Sequence, residues 1–236
     1  MRNIAIIEAG RTFPGLAIRL GDFSDWMASG LKLERDRLQV IPAFFDPSLP
    51  APETLRGVVI SGAHAMVTDF EPWMKHLATW LEELVAVSVP VLGICFGHQI
   101  LARALGGVVD YHPRGREVGT VEVRMNAGVC VDPLFAGMPD IFTAQVFHAQ
   151  SVIQLPPGAT VLAGNDFEPH QAIAYAERAW GVQFHPEFDA RIMRAYIAEE
   201  AGTLQNEGFD VDRVLGAVRE TPVAASLLGT FARLVG

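Results

Sequence analysis

The segment Val91-Leu92-Gly93-Ile94-Cys95-Phe96-Gly97-His98-Gln99 sets one cysteine between two glycines where an apolar run passes into a helical pattern. A side chain at so sharp a strand-to-helix turn stands exposed at the sheet edge, and the small flanking residues let neighbouring backbone approach. The N-terminal amides and positive dipole end of the following helix favour thiolate over thiol, the form of cysteine that attacks acyl carbon. A matching base lies far downstream, where Trp180-Gly181-Val182-Gln183-Phe184-His185-Pro186-Glu187 reads as a short apolar strand ending in a histidine, with a carboxylate two residues on. Alternate residues of a strand share a face, so Glu187 can hold one imidazole nitrogen of His185 while the other faces Cys95. Such groups are assembled in space rather than along the chain. The chemistry they point to is acyl transfer through a thioester.

Two other readings of these residues lead elsewhere. A free cysteine is commonly a buried, inert thiol, and Cys95 with His98 has the spacing of half a metal site. The other cysteine, Cys130, lies in the apolar run Val129-Cys130-Val131 with no histidine adjacent. No metal and no cofactor is therefore expected. The formal net charge of -9 disfavours a polyanion-binding surface, so nucleic acid is not an expected partner. No apolar run reaches the ~18 residues that span a bilayer, and the N-terminal run is too short for a signal peptide. The two cysteines do not suggest a disulfide framework. A nucleophilic thiol calls for a reducing compartment, so the expected location is cytoplasmic, away from membranes.

The elements that must position the reactive groups alternate. Residues 3–8 read as a buried strand, 23–33 as a helix, 38–45 and 57–61 as strands, and 89–94 as the strand feeding the cysteine turn. Between the last two, Trp73, Leu77, Trp80, Leu81 and Leu84 fall on one helical face, with Thr68 or Asp69 as cap and Pro72 in the first turn. This rhythm implies an α/β fold with a mostly parallel central sheet flanked by helices and its reactive loops at the strand C-terminal ends. After Gly107 the segments shorten: 118–125, 144–147, 152–155, 161–164 and 172–176 look like a small antiparallel region. The chain rejoins the main layer at 180–184 and ends in helices, the last over 223–234 behind Thr221-Pro222. One domain over 1–236 is expected, with a core over 3–198 and a helical extension over 199–236.

G-I-C-F-G-H-Q followed far downstream by F-H-P-E resembles the class I (triad-type) glutamine amidotransferases, within which the sequence is most like the amidotransferase domain of GMP synthase. The resemblance implies their flavodoxin-like fold, with Cys95 as nucleophile, His185 as general base and acid, and Glu187 as its orienting partner. It makes Ser61-Gly62-Ala63-His64 the oxyanion loop, with Ala63-His64 where the family commonly has Gly-Pro. Gly62 and Phe96 would then supply backbone N–H donors to the oxyanion, each such donor being worth about 3 kcal/mol. Gln99, one helical turn beyond Cys95, would help hold the substrate, while His98 points elsewhere. Phe147-His148-Ala149-Gln150 resembles the family's S-H-G-D segment, which makes His148, Ala149 and Gln150 substrate-binding residues. Phe147 and Gln150 replace the usual Ser or Asn and the usual Asp. A neutral Gln150 lacks charge attraction for an ammonium, so free glutamine is expected to be a poor substrate. Glu117-Val118-Gly119 matches the family's E-x-G, or else is a solvated charge leading into a strand.

The implied activity is hydrolysis of the glutamine side-chain amide, with the ammonia passed to an acceptor on a separate synthetase subunit. The alternatives are a stand-alone hydrolase of γ-glutamyl amides or peptides using the same thioester, and a catalytically silent binding module.

Overall fold

The computed structural model describes residues 3–45, 48–127 and 132–236. Cys130 and its apolar neighbours lie outside the described residues.

The first half alternates as its hydrophobic pattern requires: β1 (Asn3–Glu8), α1 (Pro14–Leu20), α2 (Phe23–Leu31), β2 (Leu38–Pro42), β3 (Leu55–Ile60), α3 (Pro72–Ala86), β4 (Val91–Ile94) and α4 (Phe96–Ala104). Next come β5 (Val108–Tyr111), β6 (Glu117–Met125), β7 (Ile141–His148), β8 (Gln150–Gln154), β9 (Thr160–Gly164), β10 (Ala172–Ala176) and β11 (Ala179–Val182). Four helices close the chain: α5 (Ala190–Glu199), α6 (Ala201–Asn206), α7 (Val211–Ala217) and α8 (Pro222–Val235).

The main sheet has the order β2-β1-β3-β4-β11-β10-β9-β6-β7. From β2 to β11 every pairing is parallel. This accounts for the near-continuous apolar runs of β1, β3, β4 and β11, which must be buried on both faces. From β11 to β7 the pairings are antiparallel. The short segments expected after Gly107 therefore mostly extend the main sheet, while β5 and β8 form the separate small antiparallel sheet.

Helices α3 and α4 cover one face through Leu77, Leu81, Leu84, Phe96 and Ile100. The other face is covered by α1, α2 and the C-terminal helices, through Leu16, Phe23, Met27, Met193, Leu227 and Phe231. Among the described residues no helix is long and apolar enough to cross a membrane.

Three local expectations are corrected. Residues Val67–Asp69 form a separate 3-10 turn, so neither Thr68 nor Asp69 caps α3, whose N-cap is Glu71. Thr68 Oγ1 instead accepts a hydrogen bond from Gln150 Nε2 at 2.6 Å. Thr221 precedes α8 but makes no side-chain capping bond. The strand expected over 180–184 ends at Val182, so Glu187 meets His185 through a turn rather than through strand alternation. Phe188 N–H donates to His185 O at 3.3 Å, closing a β-turn with Pro186 in the position its fixed φ suits.

Candidate active site

Strands β3, β4 and β11 are neighbours, so the residues following their C-terminal ends converge: Gly62 after β3, Cys95 after β4 and His185 after β11. Cys95 occupies the junction of β4 and α4 with φ 50° and ψ -102°. A β-carbon in this region costs about 1–3 kcal/mol and persists only where surrounding bonds impose it. Here Cys95 N–H donates to Val182 O at 2.8 Å and Gln99 N–H to Cys95 O at 3.1 Å.

The glycines on either side make room for that turn. A Cβ on Gly93 would lie 2.6 Å from His98 N, and one on Gly97 would lie 2.8 Å from Ile60 Cβ and 2.9 Å from Ile60 C. Because backbone atoms cannot swing aside, Gly97→Ala is expected to destabilise the protein by about 2–3 kcal/mol. A urea unfolding midpoint equal to that of the parent would contradict this.

His185 is 3% exposed, and its Nδ1 lies 2.8 Å from Glu187 Oε1. Its ring stacks on Phe188 at 4.2 Å and lies near Phe23 at 6.5 Å. Burial opposes charging of the imidazole, but the Glu187 carboxylate and the hydrogen-bonded Cys95 outweigh it and push the His185 pKa up to about 10. The arrangement can therefore hold an imidazolium beside Cys95 and Glu187 at neutral pH.

A cavity of about 180 Å³ opens over Cys95 and is lined also by Phe96, Gln99, His148, Ala149, Gln150 and His185. The structure thus brings seven of the nine residues singled out from the sequence to one cavity. The other two stand behind it. A Cβ on Gly62 would lie 3.0 Å from His185 Cε1, and Glu187 backs the same ring. Phe96 opens α4, where the first backbone amides have no intrahelical acceptor.

Gln99 is anchored rather than free: Nε2 donates to Gln150 O at 2.8 Å and to Gln183 Oε1 at 3.0 Å. His98 points away from the cavity into the core, where its Nδ1 meets Tyr175 OH at 3.0 Å. Burial lowers its pKa to about 3, so it is neutral.

Glu117 is not a solvated charge. It is 7% exposed, its Oε2 lies 3.0 Å from His148 Nε2 and accepts from Gln171 Nε2 at 2.8 Å, and its Oε1 accepts from Asn165 Nδ2 at 2.8 Å. The opposite ring nitrogen of His148 faces Gln150 O at 3.0 Å. Glu117 therefore fixes the ring at one corner of the cavity.

The mutual contacts of Thr12, His64 and Tyr196 are not legible in the sequence, because these residues lie far apart along the chain. Thr12 Oγ1 donates to Tyr196 OH at 2.8 Å, which leaves the phenol proton for His64 Nε2 at 3.4 Å. Phe13 packs on His64 with ring centroids 4.5 Å apart. Burial lowers the His64 pKa against the opposing pull of Glu200 and Asp22. The loop after Gly62 is thus held by a packed imidazole.

The family model described as glutamine amidotransferase class-I matches residues 29–201. A protein of Thermomicrobium roseum named GMP synthase (glutamine-hydrolyzing) is 36% identical over 173 residues, covering 70% of this chain and 31% of that protein. A protein of the same name from Xanthomonas oryzae pv. oryzae is 32% identical over 188 residues, covering 74% and 34% respectively. The chain spans about a third of the length of these curated relatives. A solved glutamine amidotransferase of Methylobacillus flagellatus superposes with a TM-score of 0.74 at 27% identity, over 100% of this chain and 92% of that one. One from Thermotoga maritima reaches 0.77 at 23% identity over 100% and 98%, and bears on the fold alone. By the extent of the family match and the identity to these relatives, the chain belongs to the class I glutamine amidotransferases.

Proposed function

We infer that the protein hydrolyses the side-chain carboxamide of a glutamine substrate through a thioester on Cys95 and delivers the ammonia to a separate synthetase unit. The observation that carries this reading is the convergence of Cys95, held in a strained turn, with a His185 whose pKa is raised by Glu187 and Cys95, at the floor of one cavity.

Sγ attacks the amide carbon, and the carbonyl oxygen gains charge where the backbone amides of Gly62 and Phe96 can receive it. His185, as imidazolium, gives its proton to the departing nitrogen, and ammonia leaves. The neutral imidazole then takes a proton from water, whose hydroxide attacks the thioester. The acid is released and the thiolate–imidazolium pair is restored. Glu187 keeps the ring oriented throughout. A nucleophilic thiolate that must stay reduced supports a location in the cytoplasm. A synthetase partner is supported by the name of the relatives, of which this chain matches about a third.

The test is to incubate the protein with glutamine and measure both products. Glutamate and ammonia should appear in equal amounts, slowly in the absence of a partner. Release of amines from γ-glutamyl peptides with no ammonia from any carboxamide would move the assignment to a γ-glutamyl hydrolase.

A further inference from the structure

A second pocket of about 620 Å³ opens beside the cavity over Cys95. The two share Met66, Arg116 and Ala149, yet neither Cys95 nor His185 lines the second. Chemistry fixes the scissile end of any substrate: its carbonyl carbon must reach Sγ and its departing nitrogen must face His185. A substituent on that nitrogen would sit by His185, and the wall that includes Gln99 and residues 148–150 is open to the far end of the substrate.

Gln150 stands in that wall, 1% exposed. Its Nε2 is committed to Thr68 Oγ1 at 2.6 Å and its backbone O accepts from Gln99 at 2.8 Å, but its Oε1 is buried with no hydrogen-bond partner. A buried acceptor is destabilising until a donor reaches it. As an uncharged carbonyl oxygen it can accept from a neutral N–H without needing a charge beside it. An α-ammonium buried there would exchange its hydration for one uncharged acceptor, a poor trade for a full positive charge. An acylated α-nitrogen carries one N–H and no charge, and its acyl group then needs space and a donor for its carbonyl. The second pocket begins at Ala149, beside Gln150. Arg116, on the shared wall, pairs with Glu207 at 2.9 Å and lies over Phe147, leaving further guanidinium N–H groups to donate.

We propose that the preferred substrate is glutamine acylated on its α-nitrogen, either an N-acylglutamine or a peptide ending in glutamine. Gln150 Oε1 accepts the amide N–H, and the second pocket houses the acyl part. This rests on the amide-hydrolase reading above. A carboxylate that an α-ammonium could use instead is Glu200, which lines the first cavity near His64.

The experiment compares kcat/KM for ammonia release from glutamine, N-acetylglutamine and alanyl-glutamine. The acylated compounds should exceed glutamine by at least about tenfold, the scale of one well-placed interaction. Gln150→Asp, which supplies a charge, should reverse the order. Preference of the parent for free glutamine, with Glu200→Gln raising its KM, would overturn the proposal, as would faster cleavage of γ-glutamyl dipeptides. A chloroketone analogue of glutamine separates the two levels of failure. If it alkylates Cys95 and glutamine alone turns over, only the substrate proposal falls. If Cys95 stays unlabelled and no amide releases ammonia, the amide-hydrolase reading falls with it.

Discussion

Replacing Cys95 with alanine is expected to lower kcat/KM on the order of 100,000-fold, the scale on which hydrolases lose activity with their nucleophile. The fold should survive. Alanine keeps the Cβ that the strained turn already accommodates, and the backbone bonds from Cys95 N–H to Val182 O and from Gln99 N–H to Cys95 O do not involve sulfur. Among the described residues, the hydrogen bond given up to a backbone group is the long Sγ contact to Phe147 O at 3.9 Å. Parent-like thermal unfolding together with lost turnover separates a chemical role from a packing one. An alanine variant that hydrolysed amide at the parental rate would remove Cys95 from the chemistry.

His185→Ala is expected to be nearly as severe, whereas Glu187→Gln should leave a measurable remnant after a loss of about 10,000-fold. Removing the ring removes proton transfer, while glutamine can still accept from Nδ1 and only weakens the charge that holds the ring. The same pair sets the pH dependence. Since the His185 pKa is pushed from 6.5 to about 10, the protonated acid persists well into the alkaline range, and the alkaline limb of kcat/KM should lie near pH 10. Glu187→Gln should draw that limb down toward 6.5, because Glu187 is the largest of the raising influences. Folding is linked in the same direction. A raised folded-state pKa gives stability that is complete below pH 6.5 and lost as pH rises through about 10, and the variant should flatten that slope. A pH-rate profile unchanged by Glu187→Gln would show that the carboxylate does not act on His185.

The reactive groups were legible because their signals are local. Cys95 between Gly93 and Gly97 can be read as an elbow from nine consecutive residues, and the buried parallel strands announce themselves as apolar runs. What escaped depends on partners distant in sequence or on elements too short to show a period. The helix Pro14–Leu20 has only 7 residues and a single buried one, Leu16, so no amphipathic repeat can emerge. Strand Val108–Tyr111 has one buried residue, Val109, and is a strand because β8 pairs with it. For Glu117 the sequence leaves two readings open, a family E-x-G element or a solvated charge, and only its long-range partners His148, Asn165 and Gln171 exclude the solvated one. The His185–Glu187 pairing was anticipated for the wrong geometric reason: the strand stops at Val182, and a proline-containing turn brings the carboxylate back to the ring.

Chemical capture of the thioester decides whether Cys95 carries the acyl group during turnover. Protein turning over glutamine, or N-acetylglutamine, carrying carbon-14 in the acyl chain is quenched in acid, digested and mapped. Label is expected on the peptide containing Cys95, labile to hydroxylamine and missing from Cys95→Ala. Steady formation of the acid product with no label on Cys95, or with label on another residue, would contradict it.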